Sequence, residues 1–95
     1  QVTSMSNMFE QADHFNSPIN DWNVSHVVNM GSMFARAKGF NQSLNHWDVS
    51  SVTDMHNMFN QAEHFDQPLN DWNVSKVINM SSMFGAAPNF NQPLN

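Results

Sequence analysis

Methionine sulfurs are the first side chains in this sequence that could do chemistry. Four Met-x-x-Met pairs recur along the chain, and thioether sulfurs are ligands that Cu(I) accepts: Met5 with Met8, Met30 with Met33, Met55 with Met58, and Met80 with Met83. Valine and phenylalanine follow the same spacing, so the methionines share an apolar surface with them. Flexible methionine side chains often fill irregular gaps in a core. We therefore interpret the pairs as core residues and predict no copper site.

Histidine, a ligand of zinc in many proteins, is present five times. His14 and His64 occupy equivalent positions two repeats apart, which is about 10 Å at the spacing of neighbouring strands, and Gly39 stands between them. The other three fall at three different positions: His26, His46 and His56. A zinc site needs three or four ligands around one centre. We predict no metal ion and no other cofactor.

Catalytic groups are also missing from the pattern. No serine, histidine and acidic residues repeat or cluster as catalysis would require, and the chain has no cysteine nucleophile. A tandem array without loop insertions offers no evident pocket. We predict that the protein is not an enzyme and assign no catalytic residue.

Charge and hydropathy exclude two further classes of partner. Eight acidic residues against three basic ones give a formal charge of −5, which repels phosphate backbones and leaves no basic patch. No apolar run approaches the roughly 20 residues that span a bilayer. We predict no nucleic-acid partner and no membrane contact by this segment.

A strict repeat of 25 residues organises the whole chain. Valine, methionine, phenylalanine, asparagine and tryptophan return in register without insertion or deletion, which is typical of a solenoid whose repeats bury apolar surface against their neighbours. The repeats occupy residues 1–25, 26–50, 51–75 and, in part, 76–95. We predict a single repeat array over residues 1–95, cut from a longer array.

Each repeat predicts a short helix, a loop and a strand. From Val27 to Ala37 the apolar residues follow a helical spacing. Ser25, Ser50 and Ser75 precede these segments as expected N-caps. Gly39 and Pro88 are expected to end the second and fourth helices.

The strand is predicted where tryptophan and valine alternate with polar residues, as at Trp47 and Val49. Pairing of equivalent strands in parallel would give an α/β solenoid, a right-handed, leucine-rich-repeat-like coil of about four repeats. Asn20, Asn45, Asn70 and Asn95 should form a ladder that binds loop backbone groups.

The outward side of the predicted strands carries carboxylates, amides and one imidazole. These residues form a predicted interaction face: Asp21, Asn23, His46, Asp48, Asp71 and Asn73. His46 should lie between Asp21 and Asp71, where opposite charges attract. The face could bind a cationic protein segment, a sugar or Ca²⁺, or it could simply be the hydrated side of a sheet.

One recurring motif is best seen in residues 65–84 and 90–95. It begins with FNQPLN, continues with W and then D or N, and ends with VS, V, M and MF. It resembles the repeat of BspA-like bacterial surface proteins and of mycoplasma surface lipoproteins, a relative of the leucine-rich repeat. The resemblance implies a cell-surface or extracellular location and a role in adhesion or protein binding, without catalysis. It names no ligand.

Two functions follow as expectations. The first is a non-catalytic cell-surface module for adhesion or protein–protein binding, which presents the polar face to a partner of unknown identity. The second is a structural spacer or filament-forming segment, in which open ends of the array self-associate.

Overall fold

Backbone hydrogen bonds join each repeat to the next in the computed structural model, which describes residues 2–85 and 87. Single parallel β-bridges connect Ser4 with Asn29, Asn29 with Asp54, and Asp54 with Asn79. These bridging residues are the whole of the regular β-structure in the described part of the chain, which contains no helix. Turns make up most of each repeat.

The predicted α/β solenoid is therefore wrong. The described residues contain neither the helices nor the strands from which a leucine-rich-repeat-like coil is built. The molecule instead measures 27 × 24 × 20 Å along its principal axes, with a radius of gyration of 11.8 Å. These nearly equal dimensions describe a compact globule.

Alternating hydrogen bonds explain why no helix forms in the second repeat. The amides of Met30, Ser32 and Phe34 donate to carbonyls of the third repeat at 2.8–2.9 Å. The amides between them close local turns, as from Met33 to the Met30 carbonyl at 3.2 Å. An α-helix would need every amide to bind four residues back. Successive turns satisfy the same three-residue apolar spacing, so the pattern was ambiguous.

Left-handed residues interrupt the right-handed backbone at regular intervals. The φ angle is 56° at Ser32 and 60° at Arg36, and the other repeats have positive φ at the equivalent positions: Asn7, Gln11, Asn57, Gln61 and Ser82. A right-handed helix cannot pass through such residues. They turn the chain so that alternate amides face the next repeat.

The predicted strands are absent for a related reason. Trp47 donates its amide to the Leu44 carbonyl at 3.1 Å, and Val52 donates to Val49 at 3.0 Å. These local turns consume the backbone groups that a ladder would use. The bridges lie instead at Asn29 and its equivalents, inside the segments predicted as helices.

The predicted apolar core is confirmed in the two middle repeats, whereas Val2, Met8, Trp22 and Met80 of the outer repeats are exposed. Phe34, Phe40, Phe59 and Phe65 are 0% exposed, as are Met30, Met33, Met55 and Met58. Equivalent phenylalanine rings stack between repeats, with centroids 5.5 Å apart for Phe34 and Phe59. Methionines of the middle repeats thus serve as core residues.

The predicted asparagine ladder is confirmed at two positions. Asn20 Oδ1 accepts the His46 amide, and Asn45 Oδ1 accepts the Asp71 amide, both at 3.1 Å. A second ladder was not predicted: Asn16 Oδ1 accepts the Asn41 amide at 2.8 Å, and Asn41 Oδ1 accepts the Asp66 amide at 2.9 Å. Asn95 lies outside the described residues.

Gly39, expected to end a helix, instead allows a close contact between two repeats. Gly39 has no positive φ, but a Cβ there would lie 2.8 Å from the Asp13 carbonyl oxygen. Glycine therefore allows the Gly39 amide to approach that carbonyl and donate to it at 3.1 Å. Pro88, the other predicted helix end, lies outside the described residues.

Candidate functional site

All six residues of the predicted interaction face are exposed to solvent. Most of the apolar residues that alternate with them are buried: Val24 and Val49 are 1%, Trp47 2% and Trp72 3% exposed, whereas Trp22 is 40% exposed. The predicted alternation of polar outward and apolar inward side chains therefore holds in the second repeat and is wrong at Trp22, and turns rather than strands produce it.

Asx turns hold three members of the face in place. Asn23 Oδ1 accepts both the amide and the hydroxyl of Ser25, at 3.1 and 2.7 Å. Asp48 makes the same two bonds with Ser50, at 3.1 and 2.6 Å, and Asn73 accepts the Ser75 amide at 3.1 Å. The serines predicted as helix N-caps are thus donors in Asx turns, since the residue two positions earlier supplies the acceptor.

Hydrogen bonds from Ser50 also set the charge state of Asp48. The Ser50 hydroxyl and then the Ser50 amide hold the pKa of the Asp48 carboxyl below its ordinary value, because both bonds favour the ionised form. Asp48 therefore carries a full negative charge at neutral pH.

His46 does not pair with its neighbouring carboxylates. Asp71 Oδ2 instead accepts the side-chain amide of Asn45 at 3.0 Å. Within residues 2–85 and 87, no hydrogen bond or ion pair joins one member of the face to another. The expected attraction of His46 to Asp21 and Asp71 thus produces no direct contact.

A cavity of about 420 Å³ opens at one end of the face. It is lined by Asp71, Trp72, Asn73, Val74 and Ser75. Two of these residues belong to the predicted face, and the lining also includes Val74 and the 3% exposed Trp72. The face therefore combines negative charge with one concave, partly apolar position.

An unpredicted histidine–carboxylate pair lies in the third repeat. Asp54 Oδ1 lies 2.7 Å from His56 Nδ1 and accepts the His56 amide at 3.0 Å. The amide bond and then the imidazole hold the pKa of Asp54 below its ordinary value. A Cβ on Gly31 would overlap the His56 ring. The Asp-x-His spacing, typical of an Asx turn, could have indicated this pair.

In the part of the chain that the structure describes, no three His, Asp or Glu side chains come together as a metal site. That part also has no helix whose length and apolar character would let it cross a membrane.

Residues 1–95 match the family model described as "Mycoplasma protein of unknown function, DUF285". The chain belongs to this family. The match agrees with the predicted likeness to mycoplasma repeat proteins, and it does not extend to BspA-like proteins. Membership in DUF285 assigns no activity, since the family's function is unknown. No curated protein and no solved structure matches the chain.

Proposed function

We propose that this DUF285 protein is a non-catalytic protein-binding module whose polar face binds a cationic segment of a partner protein. The observation that supports this most directly is the set of exposed carboxylates on successive repeats, Asp21, Asp48 and Asp71. The formal charge of −5 acts in the same direction, because a negative surface attracts and orients a positive partner. We extend the proposal to a cell-surface location, on the likeness to mycoplasma surface proteins.

Rigidity of the face supports binding rather than mere hydration. Asn23, Asp48 and Asn73 are tied into Asx turns, and Asp71 is bonded to Asn45 through both its backbone amide and its carboxylate. Side chains that are already ordered lose less conformational entropy when a partner binds. The cavity beside Asp71 could receive one partner side chain.

A peptide of eight lysines tests the charge of the face. Asp48→Asn combined with Asp71→Asn removes two charges, and asparagine already occupies the turn position of Asp48 in Asn23 and Asn73. We expect the double variant to bind the peptide about three- to tenfold more weakly, as for two exposed ion pairs. Fluorescence anisotropy at moderate salt measures the affinity.

A charge-matched control variant separates the effect of the polar face on binding from the effect of the net charge. Glu10→Gln combined with Asp13→Asn removes two exposed carboxylates outside the face, and we expect a change below about twofold. If both double variants weaken binding equally, only general charge attraction is present and the proposed face is wrong.

End-to-end assembly is the second candidate function, and the exposure of the outer repeats favours it. Met8 is 46% and Trp22 40% exposed, whereas their equivalents Met33 and Trp47 are 0% and 2% exposed. Met80, at the other end, is 42% exposed. Both outer repeats therefore expose apolar side chains. Their backbones could also pair, because each repeat donates amides to the carbonyls of the next.

The first repeat has carbonyls, and the fourth repeat has amides, that find no partner among the described residues. The carbonyls of Gly31 and Met33 accept amides of the first repeat, while the equivalent carbonyls of Ser6 and Met8 accept none from the described residues. The Met80 and Ser82 amides likewise find no acceptor there. A second copy could supply the missing partners in a head-to-tail contact.

Sedimentation at rising protein concentration tests this second function. Met8→Glu and Met80→Glu should each shift assemblies towards monomer, because they place a charge on an apolar end. Val28→Glu is the control, since Val28 is 42% exposed but lies in an inner repeat. Monomeric wild-type protein at all concentrations would exclude a filament-forming role.

A further inference from the structure

A second cavity, separate from the polar face, is lined almost entirely by polar side chains. Its volume is about 200 Å³, close to that of six or seven water molecules. Three repeats contribute to it: Glu10 from the first, Ser32, Ala35 and Arg36 from the second, and Asn57, Asn60 and Gln61 from the third. Ala35 is the one apolar residue of this lining.

The cavity exists because long and short side chains alternate between repeats. Glu10, Ala35, Asn60 and Gly85 are equivalent in the repeat, so the small Ala35 leaves a gap between the longer Glu10 and Asn60. Ala35 and Ser32 are buried, at 6% and 8% exposure, and form the floor. The 25-residue repeat thus builds a recess with polar walls.

Opposite charges line this recess without pairing. Glu10 accepts the side-chain amide of Asn7 at 2.6 Å through Oε1. The guanidinium of Arg36 makes no ion pair or hydrogen bond to any residue that the structure describes. Five guanidinium donors and one carboxylate oxygen of Glu10 therefore remain open to a ligand.

The charges restrict what can bind. Glu10 repels a simple anion and Arg36 repels a simple cation, whereas a ligand with both charges satisfies both residues. Arginine also offers two parallel donors that match a carboxylate. Asn60 Nδ2 already donates to Asn57 Oδ1 at 3.5 Å and to the Ser82 carbonyl at 3.4 Å. Asn57 Nδ2, Asn60 Oδ1 and the Gln61 side-chain amide can still donate or accept around the rest of the ligand.

We propose that this recess binds a small zwitterion, an α-amino acid whose carboxylate contacts Arg36 and whose ammonium contacts Glu10. The volume of about 200 Å³ admits a small amino acid such as alanine together with bound water. The site is independent of the partner face and needs no catalytic group.

Amide NMR shifts of the 95-residue chain test the proposal with four probes. Alanine carries both charges, N-acetylalanine only the negative one, alanine amide only the positive one, and methyl glucoside none. We expect alanine to shift the amides of Arg36, Asn60 and Gln61, with about tenfold tighter binding than either singly charged probe, as for one charge-assisted contact.

Three variants assign the contacts to residues. Arg36→Gln installs the side chain that Gln11 and Gln61 already provide at this position, and it should remove the preference for alanine over alanine amide. Glu10→Gln should remove the preference for alanine over N-acetylalanine. Ala35→Asn fills the gap as Asn60 does in the third repeat and should abolish the shifts.

The outcomes separate the proposal from its rivals. A preference for alanine that both charge variants remove supports the zwitterion site, even if Ala35→Asn fails to fold. Equal shifts from all four probes, or no shifts at millimolar concentration, overturn it. A preference for methyl glucoside overturns it as well, because it identifies a site for neutral polyols.

Discussion

Buried tryptophans show how single polar atoms hold neighbouring repeats together. The indole Nε1 of Trp47 donates to the Ile19 carbonyl at 2.9 Å, and that of Trp72 donates to the Leu44 carbonyl at 2.8 Å. Both bonds are buried and cross from one repeat to another. Each carbonyl also accepts a backbone amide within its own repeat, from Trp22 and Trp47 respectively. The indole bond is therefore the one that links the two repeats, and it contributes both stability and register.

Trp47→Phe should lower the free energy of unfolding by about 0.5–1.5 kcal/mol, because the buried bond from the indole is lost, while the Ile19 carbonyl keeps the Trp22 amide as a donor. Trp22→Phe is the matched control. Trp22 is 40% exposed, and a surface substitution of this kind should change stability by about 0.5 kcal/mol or less. Urea denaturation measures both variants, and equal losses would contradict a structural role for the buried indole bond.

Acid sensitivity should depend on Asp48. Because its folded-state pKa is lowered by Ser50, its stabilising contribution is present above the unfolded-state pKa, which is about 4. That contribution is lost as the pH falls through the folded-state value. Asp48→Asn keeps the Asx turn without titrating, so the free energy of unfolding should fall less steeply below about pH 4.

Asn23→Asp is the reciprocal change for that experiment. Asn23 accepts the same two bonds from Ser25, so an aspartate there should add acid sensitivity rather than remove it. Urea denaturation at several pH values compares the two variants with the wild type. Parallel pH profiles for all three proteins would show that the Asx turns do not couple to protonation.

At the scale of elements, the sequence predicted which side chains of the middle repeats are buried but not the backbone that buries them. Phe34, Met33 and Val49 are in the core as expected. The spacing of three that suggested a helix fits successive turns equally well, because both return a side chain to the same side after three residues. Only long-range bonds such as Phe34 to Met58, 2.9 Å between amide and carbonyl, decide between them.

Candidate sites were predictable to a similar degree. The polar face follows from two-residue alternation, which holds in turns as well as in strands. The Asp54–His56 pair and the recess at Ala35 depend on a glycine or an alanine in an adjacent repeat. The Asp-x-His spacing indicates the Asx turn at Asp54, but the space beside Gly31 and Ala35 becomes evident only when equivalent positions are compared between repeats.

Substitutions at Gln61 test whether the left-handed backbone conformation is required for stability. Gln61 has a φ of 60°, a conformation that costs an L-residue about 1–2 kcal/mol. Gln61→Gly should raise the free energy of unfolding by about 0.5–1 kcal/mol, after the greater freedom of glycine in the unfolded chain is subtracted.

Gln61→Val is the opposite change at the same position. A β-branched residue is a true outlier at positive φ, so this variant should be less stable than the wild type by more than about 1 kcal/mol. Thermal denaturation of both variants measures the difference. A valine variant as stable as the glycine variant would show that Gln61 does not need the left-handed conformation.

Across the whole molecule, burial is deepest in the middle repeats and decreases towards both ends. Val27 and Val52 are 1% and 0% exposed, whereas the equivalent Val2 is 53% exposed. Inner repeats pack against neighbours on two sides, and outer repeats have a described neighbour on one side only. Local opening should therefore begin at the outer repeats, where fewer apolar contacts oppose it.

Methionine oxidation reports this difference along the chain. Met8 and Met80 are 46% and 42% exposed, whereas Met33 and Met58 are 0% exposed. Dilute peroxide should convert Met8 and Met80 to sulfoxides first, because oxidation requires access to the sulfur. Peptide mass spectrometry gives the rate at each methionine, and oxidation in urea provides the unfolded reference, where all rates should become similar. Equal rates in the native protein would contradict a closed core in the middle repeats.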